Sequence, residues 1–343
     1  MLSKIRVQNF RKHADLTLDF KAGATVITGQ NGSGKSSLLE AVYVALQGKS
    51  WRSNFSEILR DDGQKNADWW RIDLEFSDNE KRTVKFINSV KSFEIDGKTS
   101  ARLPVKSKKP VILFEPNDLQ LLYGSPNRRR DFIDRFIAQI EPIHASNLRK
   151  FERVLRQRNN LLKQGATLNE LFVWDLQFAD LSEKIIIMRD KWIKEIDKNL
   201  TDEYRKIATS DDLINVKYIA SQKSRQQILD QLNSDFSNSW LYTKTGPQSH
   251  DVKFKINNHD AKLAASRGEN RTIIFACLAT MVRIMNQTLG DKVYLLFDDI
   301  DSELDDGRRE ALYRNDIFNN NYLLATTIKL SDDFTANIDI DEN

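Results

Sequence analysis

The sequence predicts an α/β fold whose outer unit is interrupted by a helical insert. Three observations predict it. A short β-branched run, ATVIT at 24–28, leads into GQNGSGKSS at 29–37 and then into a helix-forming stretch. A second apolar run, 293–297, ends in Asp298 and Asp299 near the far end of the chain. Between them, residues 127–205 carry only two helix breakers, Pro142 and Gly165, and are rich in Arg, Lys, Leu, Ile, Glu and Gln. Sheet-forming sequence therefore brackets helical sequence.

Taken in order, 2–8 and 15–20 alternate polar and apolar residues and read as strands, and 24–28 reads as a short buried strand. SSLLEAVYVALQ, 36–47, has apolar residues at helical spacing. WWRIDLEF, RTVKFIN and KSFEIDGKT read as antiparallel strands with turns at SDNE and DGK, and VILFEP, 111–116, as a buried strand stopped by proline. Helices are expected at 127–140, 143–163, 168–198 with a break, and 201–207. INVKYIA, DVKFKIN and the KVYLLFDD run read as strands, and SRQQILDQLNSDF as a helix. ANIDIDEN at the end reads as a solvated acidic tail.

Of 343 residues, 40% are hydrophobic and 29% charged, enough apolar content for a packed core. The net charge of +3 neither demands nor excludes nucleic acid, so only local clustering can speak to it. Cys277 stands alone in TIIFACLA, which excludes a disulfide framework and fits a reducing compartment. The first residues lack a signal-peptide core, and no apolar stretch approaches the ~20 residues of a membrane span. A cytoplasmic protein with no membrane partner is expected.

Gly29-Gln30-Asn31-Gly32-Ser33-Gly34-Lys35-Ser36 fits G-x-x-x-x-G-K-[ST], with a strand before it and a helix after it. Glycines let backbone N–H groups close around phosphate oxygens, and the helix N-terminus adds positive potential. Lys35 can reach the outer phosphates and the Ser36 hydroxyl can ligate Mg²⁺. Asp298, at the end of an apolar strand, is suited to the metal, and Asp299 to polarising the attacking water. Ser266 and Gly268, in LAASRGENRTIIFACLATMV, open a helix whose N-terminus can meet an anion. A glycine-rich turn, an acidic turn and a plain helix cap are the alternatives, each weaker once all three motifs stand in one chain.

Together these stretches resemble the RecF family of DNA-repair ATPases. IRVQNFRKH, GQNGSGKSSLLEAVYVALQGKSWR, LFEPNDLQLLYGSPNRRRDFIDRFI, FERVLRQRNNLLK, VWDLQFADLSEKI, TKTGP, ASRGENRTIIFACL and LLFDDIDSELDDGRR carry the match, in order, over essentially the whole chain. The resemblance implies a P-loop ATPase head of the ATP-binding-cassette, SMC-like type with an inserted helical lobe. Residues 1–115 plus 245–343 would form the head and 116–244 the lobe. It implies an ATP-dependent homodimer with two ATP sandwiched between subunits, a weak DNA-dependent ATPase whose slow hydrolysis is a switch. The closed dimer would clamp double-stranded DNA at gaps and single-strand/double-strand junctions and promote RecA loading with RecO and RecR, in recombinational repair, replication restart and the SOS response.

Carried over by motif, Gly34, Lys35, Ser36 and Ser37 would contact phosphates and Mg²⁺, and Ser266 and Gly268 the partner subunit's γ-phosphate. Ser302, Glu303, Leu304 and Asp305 would form a loop that talks across the dimer. Thr326 or Thr327, Asn9 and Arg11 would lie near the nucleotide. Two departures stand out: Glu269 replaces the family's usual Gln, and Gln248-Ser249 replaces its His-Arg. Three basic clusters are candidates for DNA phosphates: Arg128–Arg130 with Arg135; Lys106, Lys108 and Lys109; and Arg149, Lys150, Arg153, Arg156 and Arg158. Solvated helix faces are the competing reading for these clusters. The alternative function is an ATP-binding-cassette subunit powering another process, such as transport; the helical insert and GSPNRRRDF argue against it.

Overall fold

The computed structural model describes residues 1–21, 23–60, 68–208, 210–237, 241–299, 317, 320–327 and 336–340. In chain order the first elements are β1 (Leu2–Phe10), β2 (His13–Asp19), β3 (Thr25–Thr28), α1 (Lys35–Gln47), β4 (Trp69–Phe76), β5 (Lys81–Ile87), β6 (Val90–Ile95), β7 (Lys98–Ser100) and β8 (Val111–Phe114). Then come α2 (Pro126–Ile140), α3 (Pro142–Lys163), α4 (Leu168–Ile207), β9 (Ile214–Ile219), α5 (Arg225–Ser237), β10 (Asp251–Ile256), β11 (His259–Asp260), α6 (Ala261–Ala264) and α7 (Arg267–Leu289). β12 (Tyr294–Phe297), β13 (Tyr322–Thr326) and β14 (Ala336–Asp339) complete the order. The elements pack as two units, Met1–Asp118 with Met285–Asn343, and Leu119–Ile284.

The first unit has two sheets. One is antiparallel, in the order β2-β1-β4-β5-β6-β7; the other is parallel, in the order β14-β3-β13-β12-β8. Strands β3, β8 and β12 are buried along their whole length, as a parallel sheet covered on both faces requires. Helix α1 touches strands of both sheets, and every residue from Leu38 to Gln47 is buried. That placement explains why, Glu40 and Gln47 apart, the helix is apolar on all sides after its first turn. Trp70 is fully buried, stacks on Phe86 at 5.9 Å and donates its Nε1–H to Phe55 O at 2.9 Å, so it belongs to the core.

The second unit is mainly helical, with a three-stranded antiparallel sheet in the order β11-β10-β9. Prolines at the first positions of α2 and α3 cost no hydrogen bond there. Thr167 and Glu170 form a reciprocal cap on α4. Two buried ion pairs cross this unit: Arg158 to Asp175 at 2.5 Å, and Arg189 to both oxygens of Asp134 at 2.9 and 2.7 Å. Burial alone would raise the Asp134 carboxyl, but Arg189 and a hydrogen bond to His144 bring it below its usual range.

Four readings change. Residues 168–207 form one continuous 40-residue helix, because no glycine or proline interrupts them. Residues 336–339 are not a solvated tail but strand β14, paired parallel to β3 from Ala336↔Thr25 to Asp339↔Thr28. Residues 245–284 pack with the second unit rather than the first, since β10 pairs with β9 and Arg129 of α2 holds Asp251. Helix α7 is by length and composition apolar enough to cross a membrane, yet most of its apolar stretch is buried inside the protein, the environment of a core helix. The same burial pushes the Cys277 thiol up to about 12.

Candidate functional site

In the first unit, β3 delivers the chain to Gly29 and α1 starts at Lys35, so the loop between them closes over a helix N-terminus. Gly32 and Gly34 have φ of 84° and 107°, a region that side chains avoid. A Cβ on Gly34 would also lie 2.5 Å from a His13 ring carbon. Lys35 Nζ lies across the loop, donating to Gly29 O at 2.6 Å and Gln30 O at 2.9 Å. Ser33 Oγ is buried with no hydrogen-bond partner among the described residues. Ser37 stands in the first turn of α1, two residues after Lys35.

The acidic strand end meets this loop directly. Ser36 Oγ donates to Asp298 Oδ1 at 2.7 Å. Thr326, at the end of the neighbouring β13, donates to the same oxygen at 2.9 Å and accepts the Asp299 N–H at 2.8 Å. Asp299 sits at φ 51°, in the left-handed region that aspartate and asparagine tolerate best. Thr327 is fully buried, its N–H bonded to Ile27 O at 3.1 Å.

Asn9 and Arg11 also have positive φ, 49° and 53°, at the tight β1–β2 turn. Arg11 is held by α1 and the segment that follows it. Its guanidinium clamps the fully buried Glu40 of α1, with Nε and Nη2 at 3.0 and 2.8 Å, and donates to Glu57 O at 2.8 Å. The next two residues touch the loop instead. Lys12 Nζ donates to Gly32 O at 2.6 Å, and His13 Nε2 lies 3.1 Å from Gly34 O. Burial lowers the His13 pKa, against a smaller opposing effect of that bond, and with a carbonyl oxygen as partner Nε2 is the donor.

Sequence reading missed three more side chains here. Arg52 Nη2 donates to Asp298 Oδ2 at 2.7 Å, lies 3.9 Å from Glu115, and stands over the Trp51 ring at 5.1 Å. Trp51 Nε1 in turn donates to Glu115 Oε1 at 2.6 Å. These residues lie in GKSWR and LFEPN, which carried family likeness but no chemical signature of their own.

In the second unit, Ser266 and Gly268 open α7. Ser266 Oγ accepts the Glu269 N–H at 3.2 Å, and the Glu269 carboxylate accepts the Ser266 N–H at 2.6 Å. Glu269 thus serves as a helix cap. Of the arginine-rich stretch, Arg129 and Arg130 are buried: Arg129 holds Asp251 and three backbone carbonyls, and Arg130 bonds His250 O and Asn127. Around the altered Gln248-Ser249 segment, Pro247 O accepts from Arg189 at 2.7 Å and Gln248 ties back to Thr245 O at 2.7 Å. Ser302 to Asp305 lie outside the described residues.

A family model described as an AAA domain matches residues 4–240. "DNA replication and repair protein RecF" of Streptococcus uberis is 31% identical over 347 aligned positions, covering 96% of this chain and 93% of that protein. The chain belongs to the RecF family. The RecF of Staphylococcus aureus is 30% identical over 91% of this chain and 89% of its own. Among solved structures, one of the recombination mediator protein RecF with ATP superposes with a TM-score of 0.83 at 25% identity, covering 96% of this chain and 92% of that one. A SmcHead structure matches with a TM-score of 0.54 at 15% identity, which shows fold alone. This RecF-family chain therefore has an α/β ATPase-head fold like that of SMC heads, with an inserted helical lobe, and the transport alternative draws no support from these relatives.

Proposed function

We propose that this chain is an ATP-switched, double-stranded DNA-binding protein of recombinational repair and replication restart, in which Mg²⁺-ATP closes a homodimer and slow hydrolysis reopens it. The observation that carries the reading is the Ser36–Asp298 hydrogen bond, which joins the phosphate loop to the acidic strand end within 2.7 Å. The RecF solved with ATP supports the nucleotide, and its description within the RecFOR pathway supports RecO and RecR as partners.

The donor set suits the cofactors. A hydroxyl and a carboxylate, both oxygen, are what a hard divalent cation takes, with water and phosphate oxygens completing its shell. Positive-φ glycines, a helix N-terminus, Lys35 and the Ser33 hydroxyl, which has no partner among the described residues, suit an anion. Bound Mg²⁺ would neutralise charge on the transferring phosphoryl group. Lys35 would leave the loop carbonyls for the outer phosphates. Ser36 and Asp298 would hold the metal; Asp299, its backbone pinned by Thr326, would orient and deprotonate water. Ser266 and Gly268 would offer a hydroxyl and helix N–H groups to the nucleotide of a partner subunit.

The basic clusters sort by exposure. Arg129, Arg130 and Arg158 are buried and structural. Lys109 pairs with Glu80 at 3.2 Å. Arg149, Arg153 and Arg156, with Lys163, are exposed and recur at helical spacing along one face of α3, with only Glu152 among the first three. That face spans about 21 Å at 1.5 Å rise per residue, a length suited to several DNA phosphates. The test is retention of double-stranded DNA with ATP, ADP or no nucleotide. ATP is expected to raise retention severalfold; equal retention in all three refutes the switch.

A further inference from the structure

Asp298 is 5% exposed, and a buried carboxylate without a cation beside it is strongly disfavoured. Ser36 and Thr326 supply hydroxyl donors to one of its oxygens, but no charge. Lys35 is turned to the loop carbonyls. Among the described residues the charge comes from Arg52, whose Nη2 lies 2.7 Å from the other oxygen. Arg52 is itself one-third exposed, at 34%, on the short connection after α1, so it is free to leave. A second carboxylate waits beside it: Glu115, 3.9 Å from Arg52 Nε and already fixed by Trp51 Nε1.

We propose that Arg52 is a place-holding cation for the metal site. Its guanidinium neutralises Asp298 until a divalent cation arrives, then passes to Glu115, so Arg52 sets how much Mg²⁺ the site demands. This rests on the reading of Ser36 and Asp298 as metal ligands. The charge balance is simple: a monovalent guanidinium leaves Asp298 as the divalent cation enters, and no bond is made or broken covalently. Because two cations compete for one carboxylate, the coupling between them is reciprocal. Removing Arg52 must tighten metal binding and must destabilise the metal-free protein more than the metal-loaded one.

The experiment compares the full chain with its Arg52→Ala and Arg52→Gln variants, the second keeping a hydrogen-bonding side chain without the charge. Thermal unfolding midpoints and calorimetric ATP binding are measured across a free Mg²⁺ series. The wild-type chain is expected to show Mg²⁺-dependent stabilisation with ATP. Both variants are expected to reach half-maximal stabilisation at free Mg²⁺ lower by about fivefold or more, within the usual range of site–site coupling. Their midpoints without metal should fall below wild type, and the deficit should close at saturating Mg²⁺-ATP. An unchanged or higher Mg²⁺ requirement, or a deficit that persists at saturation, overturns the proposal while leaving the metal reading intact. A wild-type chain indifferent to Mg²⁺ overturns both.

Discussion

Lys35 and Asp299 do their proposed work at opposite ends of one reaction, and single substitutions should separate them. Lys35 carries the only side-chain charge that the GKS motif brings to the phosphates, so Lys35→Ala should weaken ATP binding by about 10- to 100-fold, the scale of one or two charge-assisted hydrogen bonds. Asp299→Asn keeps a residue that tolerates φ 51°, so the backbone bonded to Thr326 should hold. It should leave ATP affinity within about twofold and slow hydrolysis by about 100-fold or more, the usual worth of a positioned base. Calorimetry and phosphate-release assays read the two effects; hydrolysis at the wild-type rate in Asp299→Asn refutes the assignment of the base. The GQNGSGKSS motif was legible because all its chemistry is local. Arg52 was not, because its partner lies 246 positions away and nothing near SWRSN announces an acid. The pairing of Arg11 with Glu40 was not legible, because Glu40 looked like an ordinary polar position in an apolar helix.

Among the elements, α3 shows what charge counting misses. Arg149 to Arg158 look like one basic run in sequence, but helical period sends Arg158 into the core to meet Asp175 and Thr243 while Arg149, Arg153 and Arg156 stay in water. The GSPNRRRDF stretch divides the same way, with Arg129 and Arg130 turned inward to acids and carbonyls supplied from far along the chain. The exposed face of α3 is therefore the element to change. Reversing Arg149, Arg153 and Arg156 to Glu together should lower double-stranded DNA affinity at least about tenfold and reduce the salt slope by about one for each DNA phosphate left without its cation. Thermal unfolding should hold, since none of the three is buried. An unchanged slope would move the DNA to another surface. Strand β14 was illegible for a different reason. ANID alternates too briefly to signal a strand, and its pairing is granted wholly by β3, more than three hundred positions away.

For the molecule as a whole, the order of sheets, helices and sheets was readable from composition, because a glycine-poor helical run between two sheet-forming regions admits few other arrangements. The packing boundary was not, because 245–284 carry strand and helix signals that fit either unit; the Arg129–Asp251 pair and the β9–β10 ladder decide it. The proposed switch joins two copies, with Ser266 and Gly268 reaching the other's nucleotide. Sizing by light scattering should give a dimer with Mg²⁺-ATP and a monomer without nucleotide, and Lys35→Ala should remain monomeric in both. A wild-type chain whose mass ignores ATP would remove the two-copy part of the proposal.

Strand β3, which carries the phosphate loop, lies between β13 and β14, its register set on both flanks by residues 322–326 and 336–339. During synthesis those flanks leave the ribosome long after it. The first forty residues must wait, half-built, while codon after codon is read. A product terminated before those strands therefore lacks both neighbours of the strand that carries the phosphate loop, and the proposed switch would need a polypeptide that includes them.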